Sequence, residues 1–220
     1  MISFFATLFT YNLAHSKGIT EEKWRIPVLV ISFSAVMYFS FNSLPLTSIL
    51  ILSFLGIISI LYSIQIRKLQ LRRMPGFKIF WIALVWSVAV FLPWIEVLQP
   101  TIWMVIPQWL SVLCFVLAIS IPFDIRDVYY DEPALSTFPQ KFGIQASVRL
   151  STQLLMLSAA LFLIGFQFEL NQITHAFLIN ILISILLIRK MLRPRNFWFT
   201  DLWIEGLSGL FLVIYFILGL

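Results

Sequence analysis

Charged residues are scarce in this sequence, and their scarcity argues against a soluble globular protein. They make up 11% of the 220 residues, whereas apolar residues make up 60%. A soluble domain of this size would need far more polar side chains to cover its surface. The mean hydropathy of +0.96 indicates instead that lipid is the solvent, in which helices satisfy their own backbone polar groups. We therefore expect an integral membrane protein.

Cysteine is almost absent as well. Cys114 is the one cysteine and lies within an apolar run, which excludes an internal disulfide and is typical of an inert buried thiol. The sequence also lacks Cys/His metal-ligand spacings, a Ser-His-Asp set and a phosphate-binding glycine loop. A net charge of +5 does not indicate a nucleic-acid partner, because the basic residues are gathered in short loops between apolar runs.

Long apolar runs recur along the whole chain and predict membrane-spanning helices. We expect an all-α fold, a polytopic membrane helical bundle that forms a single domain over residues 1–220. Seven full transmembrane helices are predicted at residues 26–41, 46–66, 77–98, 101–121, 148–168, 174–188 and 201–218. A short apolar helix precedes them over residues 1–14, and its reach of roughly 20 Å is less than the ~30 Å hydrocarbon core.

The basic residues alternate between loops in a way that predicts topology. All 15 fall within residues 17–25, 67–78, 126–149 and 189–195, and the intervening loops at 42–45, 99–100 and 169–172 contain none. The positive-inside rule places each basic loop in the cytoplasm. We expect a plasma (inner) membrane protein whose carboxyl terminus lies on the opposite side.

Carboxylates are the scarcest charges, yet they cluster. Of ten acidic residues, four lie within residues 124–132. Asp124, Asp127 and Asp131 are separated by three and four residues, a spacing that shares one face of a helical turn. Magnesium prefers oxygen ligands and is commonly held by carboxylates together with substrate phosphates. Since Arg126 and Lys141 suit phosphate oxygens, the cluster predicts a Mg²⁺–diphosphate site.

The same residues have a second interpretation. They fit a solvated loop between two helices, in which Asp131 and Glu132 cap the following helix. The spacing alone does not separate the two interpretations.

A family resemblance rests on this cluster. The run Asp124-Ile-Arg-Asp-Val-Tyr-Tyr-Asp131, followed by residues 135–143 with Thr137-Phe-Pro139 and Gly143, resembles the second aspartate motif of the UbiA superfamily of membrane prenyltransferases. Residues 62–78 look like the basic loop of that family, and Glu205-Gly206 falls where relatives carry an acidic residue and a glycine. The order of spans looks like the second through ninth helices of the family's nine-helix fold.

The resemblance implies a helical bundle around a cavity, in which two aspartate motifs hold Mg²⁺ on an isoprenyl diphosphate. Ionisation of the diphosphate gives an allylic cation, which an aromatic or lipid acceptor captures. The implied partners are thus a prenyl diphosphate and membrane lipid. By position, the metal ligands would be Asp124, Asp127 and Asp131. The residues that would contact the diphosphate are Asn12, Arg72, Lys78, Arg126 and Lys141.

The first aspartate motif of the family departs from its pattern here. In place of Asn-Asp-x-x-Asp the chain reads Asn12-Leu-Ala-His-Ser16, so Leu13 and Ser16 stand where the aspartates belong. The resemblance also implies that the family's N-terminal helix is missing. A second hypothesis is therefore a non-catalytic UbiA-fold protein that binds a lipid or a partner membrane enzyme. A small-solute transporter is less favoured, because the spans carry few ionisable side chains.

Overall fold

The structure is a computed structural model. It describes residues 25–63, 77–98, 101–128, 137–193 and 198–219. The predicted N-terminal apolar helix at residues 1–14 lies outside the described residues.

Within these ranges the regular elements are helical and no strand occurs. The α-helices are α1 (Arg25–Ser43), α2 (Leu46–Ser63), α3 (Phe77–Leu98), α4 (Ile102–Asp127), α5 (Phe138–Gly165), α6 (Gln172–Arg189) and α7 (Leu207–Leu218). A 3₁₀ turn at Lys190–Leu192 follows α6, and a π-helical turn at Phe199–Ile204 precedes α7.

Three of the described helical segments are long and apolar enough to cross a membrane. They are Ile102–Asp127, Phe138–Gly165 and Gln172–Leu192. Shorter apolar helical stretches occur at Ile26–Tyr38, Leu46–Ile57, Ile79–Leu92 and Leu207–Leu218. The all-helical, membrane-type character is thus confirmed for the described residues, while the count of seven spans stays a prediction.

The helices group into two compact units. The first comprises Met1–Leu71 with Ala89–Gln99, and its described part contains α1 and α2, which contact each other. The second comprises Arg72–Val88 with Pro100–Leu220 and contains α4 to α7. The prediction of one domain over residues 1–220 stays a prediction.

Helices α4 and α5 form an antiparallel pair joined by hydroxyl groups. The Ser111 Oγ donates to the Ser158 carbonyl at 2.8 Å, and the Ser158 Oγ donates to the Ser111 carbonyl at 2.8 Å. Small side chains let the two backbones approach closely, as is common between helices in lipid. At the far end of the pair, Gly165 faces Gln108, and a Cβ on Gly165 would lie 2.4 Å from the Gln108 Cγ.

A proline inside α4 explains one more link to α5. Pro122 has no N–H, so the carbonyl of Ala118, four residues earlier, receives no helical hydrogen bond from it. The Ser151 Oγ of α5 donates to that carbonyl at 2.6 Å. Both residues are fully buried, where an unpaired carbonyl would be costly. The hydroxyl of Ser151 thus satisfies this carbonyl, and α4 continues past Pro122 to Asp127, beyond the predicted span end at residue 121.

Aromatic rings fill the space between α5, α6 and α7. Phe162 and Phe177 stack with ring centroids 3.9 Å apart, and Phe177 also meets Phe211 edge-on at 6.0 Å. These rings belong to the hydrophobic core of the second unit. Other residues of the same core, Ile125, Ile188 and Met191, lie at the opposite end of the bundle, where α4 stops, α5 starts and α6 stops.

Candidate functional site

The two described residues of the acidic cluster, Asp124 and Asp127, lie on the last turn of α4, not in a loop. Asp124 is 2% exposed, next to the buried Ile125 and Ile121. A carboxylate in such surroundings is stable only when other groups compensate its charge. The interpretation of Asp124 as a residue of a solvated loop is therefore wrong.

The N-cap of α5 is Thr137. Asp131 and Glu132 lie outside the described residues, so the capping role suggested for them stays a prediction. The Thr137 N–H donates to the Gln140 Oε1 at 3.0 Å, the side-chain contact that a capping box provides. Pro139 occupies the first turn, where a missing N–H costs nothing.

Arg126 and Asp127 form a two-point ion pair. The Arg126 Nε donates to the Asp127 Oδ1 at 2.6 Å, and Nη2 donates to Oδ2 at 2.9 Å. The side chains are 17% and 22% exposed, so water screens this pair only in part. Adjacent residues on a helix do not usually face each other, and the geometry is accessible here because the helix ends at Asp127.

Arg126 also reaches the segment before α7. Its Nη1 donates to the Thr200 Oγ1 at 3.3 Å, and Thr200 is fully buried in the π-helical turn. The ring of Phe123 lies 5.3 Å from the guanidinium carbon, within the range of a cation–π contact. One side chain thus joins the acidic end of α4 to residues 74 positions later.

Of the remaining predicted site residues, only Lys141 has a described side chain. Lys141 is exposed on the first turn of α5, at the same end of the helix pair as Asp127. Asn12, Arg72 and Asp131 lie outside the described residues, as does the side chain of Lys78. For all four, the predicted roles stay predictions.

The described residues alone do not assemble a metal centre. No group of three or more His, Cys, Asp or Glu side chains with metal-binding geometry occurs among them. Asp124 and Asp127 share a face of α4, and further oxygens would have to come from Asp131 or from a substrate. A carboxylate offers about four acceptor positions. Arg126 takes two of those on Asp127, so positions for a cation remain.

Thr200 and its π-helical turn were not predicted from the sequence. The run Phe197-Trp-Phe-Thr-Asp-Leu-Trp203 reads as the start of an apolar span, and Thr200 is one polar residue within it. The sequence feature that points to this position is the pair of polar residues Thr200 and Asp201 inside the apolar run. Single π-helical turns are frequent at functional sites.

Comparison with family models, with characterised proteins and with solved structures gave no match to this chain. The functional proposal therefore depends on the residues and on their geometry. The arrangement offers carboxylate oxygens and a guanidinium at the end of a membrane-length apolar helix, which suits a ligand with a metal-bound anionic head and an apolar tail.

Proposed function

We propose that the chain is a divergent membrane prenyltransferase, which transfers an isoprenyl group from a prenyl diphosphate to an aromatic or lipid acceptor. The observation that carries the proposal is the position of Asp124 and Asp127 on the last turn of α4, with Arg126 between them. These residues belong to the run that resembles the second UbiA aspartate motif. The apolar surface of the helix suits the isoprenyl chain, and the carboxylates suit a metal–diphosphate head.

The roles of the residues follow from their chemistry. Mg²⁺, when bound, would neutralise the charge that builds on the diphosphate as it leaves. Asp124, Asp127 and Asp131 would supply carboxylate oxygens to the ion. Arg126 and Lys141 would donate hydrogen bonds to diphosphate oxygens. Further diphosphate contacts are proposed for Asn12, Arg72 and Lys78.

The reaction is a substitution at the allylic carbon. The bond between that carbon and the diphosphate oxygen breaks, and its electron pair leaves with the diphosphate. The acceptor supplies the electron pair of the new bond and loses a proton. Apolar walls would keep water from the cation. By the positive-inside rule, the proposed site would lie at the cytoplasmic face of the inner membrane.

The test is turnover in proteoliposomes. Purified full-length protein is given geranyl, farnesyl or longer diphosphates with Mg²⁺, and released diphosphate is measured. Asp127→Asn and Asp124→Asn are expected to lower the rate about 10²-fold or more, since each removes a ligand of the metal that stabilises the leaving group. Glu169→Gln, an exposed carboxylate after α5, is the matched control and keeps the wild-type rate. Equal turnover by wild type and the Asp124/Asp127 double variant contradicts the assigned site.

A second candidate is a non-catalytic member of the same fold. It is supported by Leu13 and Ser16 in place of the first-motif aspartates, and by Arg126, which binds Asp127 and Thr200 of the protein itself. Such a protein would bind a lipid or a partner membrane enzyme without turnover. Binding of a non-cleavable prenyl diphosphate analogue without turnover of the natural diphosphates supports this candidate. Magnesium-dependent diphosphate release contradicts it.

A further inference from the structure

We propose that a patch at the end of α6 binds the headgroups of anionic phospholipids. The patch consists of Arg189, Lys190, Arg193, Trp198, Leu202 and Trp203, which are all exposed. None of these residues belongs to the acidic cluster, so the proposal does not depend on prenyl transfer. The ligand would be a lipid phosphate group, bound by the cationic side chains beside an apolar surface.

The fold presents these cations outward. Met191, at the centre of the 3₁₀ turn, is 3% exposed and belongs to the hydrophobic core together with the fully buried Ile188. Because Met191 points inward, its neighbours Arg189 and Lys190 lie on the surface, and Arg193 is exposed just after the turn. Three cationic side chains are therefore held within five residues of chain at a fixed position.

Large apolar side chains lie on the surface next in the sequence. Trp198 is 76% exposed, Leu202 61% and Trp203 58%. Such exposure in water is unfavourable, whereas tryptophan at the level of lipid headgroups buries its ring in the acyl boundary and hydrates its N–H. The combination of cations and tryptophans therefore fits a bilayer interface rather than bulk water.

Packing keeps the two parts of the patch together. The 3₁₀ turn contacts α5 and α6, and the π-helical turn contacts α4 and α6. The hydrogen bond from Arg126 to Thr200 ties the π-helical turn to the end of α4. Both turns thus lie at the end of the bundle that carries Asp124 and Asp127.

The charge balance favours an anionic surface. Residues 189–205 carry four basic residues against two acidic ones, hence a net charge of +2. Glu205, which is exposed directly after the π-helical turn, opposes anion binding, and the side chain of Asp201 lies outside the described residues. Each basic side chain near an anionic membrane surface changes binding by about fivefold.

The experiment measures which lipids the full-length protein retains. The protein is reconstituted in nanodiscs of equal phosphatidylcholine and phosphatidylglycerol, extracted in mild detergent and washed, and the bound lipids are quantified by mass spectrometry. Wild type is expected to retain phosphatidylglycerol over phosphatidylcholine by about fivefold or more. Arg189→Gln/Lys190→Gln/Arg193→Gln is expected to return the ratio to that of the nanodisc. Trp198→Ala/Trp203→Ala is expected to reduce the total amount of retained lipid.

Two controls keep the result interpretable. Arg189→Lys/Arg193→Lys retains the charges and is expected to retain the lipid preference, which separates loss of charge from misfolding. Arg149→Gln removes an exposed cation of α5 outside both the patch and the proposed diphosphate site, and is expected to keep the wild-type ratio. A triple glutamine variant with the wild-type ratio overturns the proposal.

Two other outcomes assign the patch differently. Inorganic phosphate is also added in small excess over the protein. Loss of bound phosphatidylglycerol on this addition would identify a site for soluble anions and overturn the lipid assignment. A triple glutamine variant whose mass in detergent halves, while its lipid ratio stays that of wild type, would assign the patch to a contact between copies of the chain.

Discussion

Arg126 contacts Asp127, Thr200 and Phe123 through one guanidinium. Nε and Nη2 bind Asp127, Nη1 binds Thr200, and the guanidinium carbon lies 5.3 Å from the Phe123 ring centroid. Lysine cannot reproduce this set, because a single ammonium has neither the planar fork nor the stacking surface. At the scale of residues, the guanidinium of Arg126 thus stabilises the acidic end of α4.

Replacement of Arg126 is expected to lower stability. Arg126→Gln leaves the partly buried Asp127 carboxylate without its ion pair, and we expect a loss of about 1–2 kcal/mol in the free energy of unfolding. Arg126→Lys is expected to recover part of that loss. Thr200→Val removes one neutral acceptor of Arg126 and is expected to cost about 0.5–1.5 kcal/mol. Unfolding in a titration of denaturing detergent measures each change, and an Arg126→Gln protein as stable as wild type would show that the pair contributes nothing.

The sequence predicted which residue types meet at this place, but not their pairing. Asp124 and Asp127 are predicted from their spacing on a helical turn, and Arg126 from the affinity of a guanidinium for phosphate oxygens. Their positions on the last turn of α4 agree with that reasoning. The ion pair between Arg126 and Asp127 was not predicted, because neighbours in sequence do not share a helix face. Thr200 is brought to Arg126 by tertiary packing, which local spacing does not encode.

At the scale of elements, α4 and α5 are matched by hydrogen bonds that single residues make possible. Pro122 removes the helical donor for the Ala118 carbonyl, and the Ser151 hydroxyl of α5 replaces it. A proline in one helix is therefore paired with a serine in the next.

Removal of that hydroxyl is expected to destabilise the helix pair. Ser151→Ala leaves the buried Ala118 carbonyl without this donor, with an expected loss of about 1–3 kcal/mol. Ser120→Ala is the matched control, because the Ser120 hydroxyl donates to Val116 of its own helix. We expect the control to stay within about 0.5 kcal/mol of wild type. The thermal midpoint of each purified variant in one detergent is the measurement, and equal losses in both variants would contradict the role of Ser151.

The close approach of Gly165 to Gln108 gives a second test of the helix pair. Gly165→Ala would place a methyl group 2.4 Å from the Gln108 Cγ and 3.4 Å from its backbone nitrogen. Gln108 is 4% exposed, so its side chain has little room to move, and we expect a loss of about 1–3 kcal/mol.

Gly209→Ala is the control for this substitution. Gly209 lies in α7, and a Cβ there would meet no atom within 4 Å. We expect Gly209→Ala to be neutral or slightly stabilising, because alanine favours a helix. If both variants have the same free energy of unfolding in the same detergent titration, the contact between Gly165 and Gln108 does not limit the size of the residue at position 165.

Helix positions were predicted well where apolar runs have clear ends, and less well elsewhere. The predicted bounds of α3, 77–98, match the structure because Pro75-Gly76 and Gln99-Pro100 flank the run. The helix that contains the predicted span at 148–168 begins ten residues earlier, at Phe138, since its polar first turn was assigned to a loop. The predicted span at 201–218 is divided into the π-helical turn and α7, and no local pattern distinguishes a π-helical turn from an α-helix.

At the scale of the whole molecule, topology is the property that the sequence predicts and that an experiment can settle directly. Lys141 lies on the first turn of α5, Glu169 follows the end of that helix, and both are exposed. The basic-loop pattern predicts that they lie on opposite sides of the membrane.

Labelling from one side of the membrane tests this prediction. Lys141→Cys and Glu169→Cys are expressed separately, and sealed, right-side-out membranes are treated with an impermeant maleimide. We expect Glu169→Cys to react and Lys141→Cys to react only after the membranes are opened. The native Cys114 is buried and is expected to give little background, which unmodified protein measures. Labelling of both positions before opening would contradict a membrane crossing by α5.

Gly143 has a consequence for how α5 fits its surroundings. The 28 residues of Phe138–Gly165 would extend roughly 42 Å as one straight helix, well beyond the ~30 Å of hydrocarbon. At Gly143 the backbone takes φ 83° and ψ 165°, angles that favour glycine, and the helix axis breaks there. Residues 144–165 that follow measure roughly 33 Å, close to the thickness they must cross. In a bilayer of that thickness, the straight part of α5 after Gly143 would match the hydrocarbon width, and the Phe138–Phe142 turn would lie at the membrane surface.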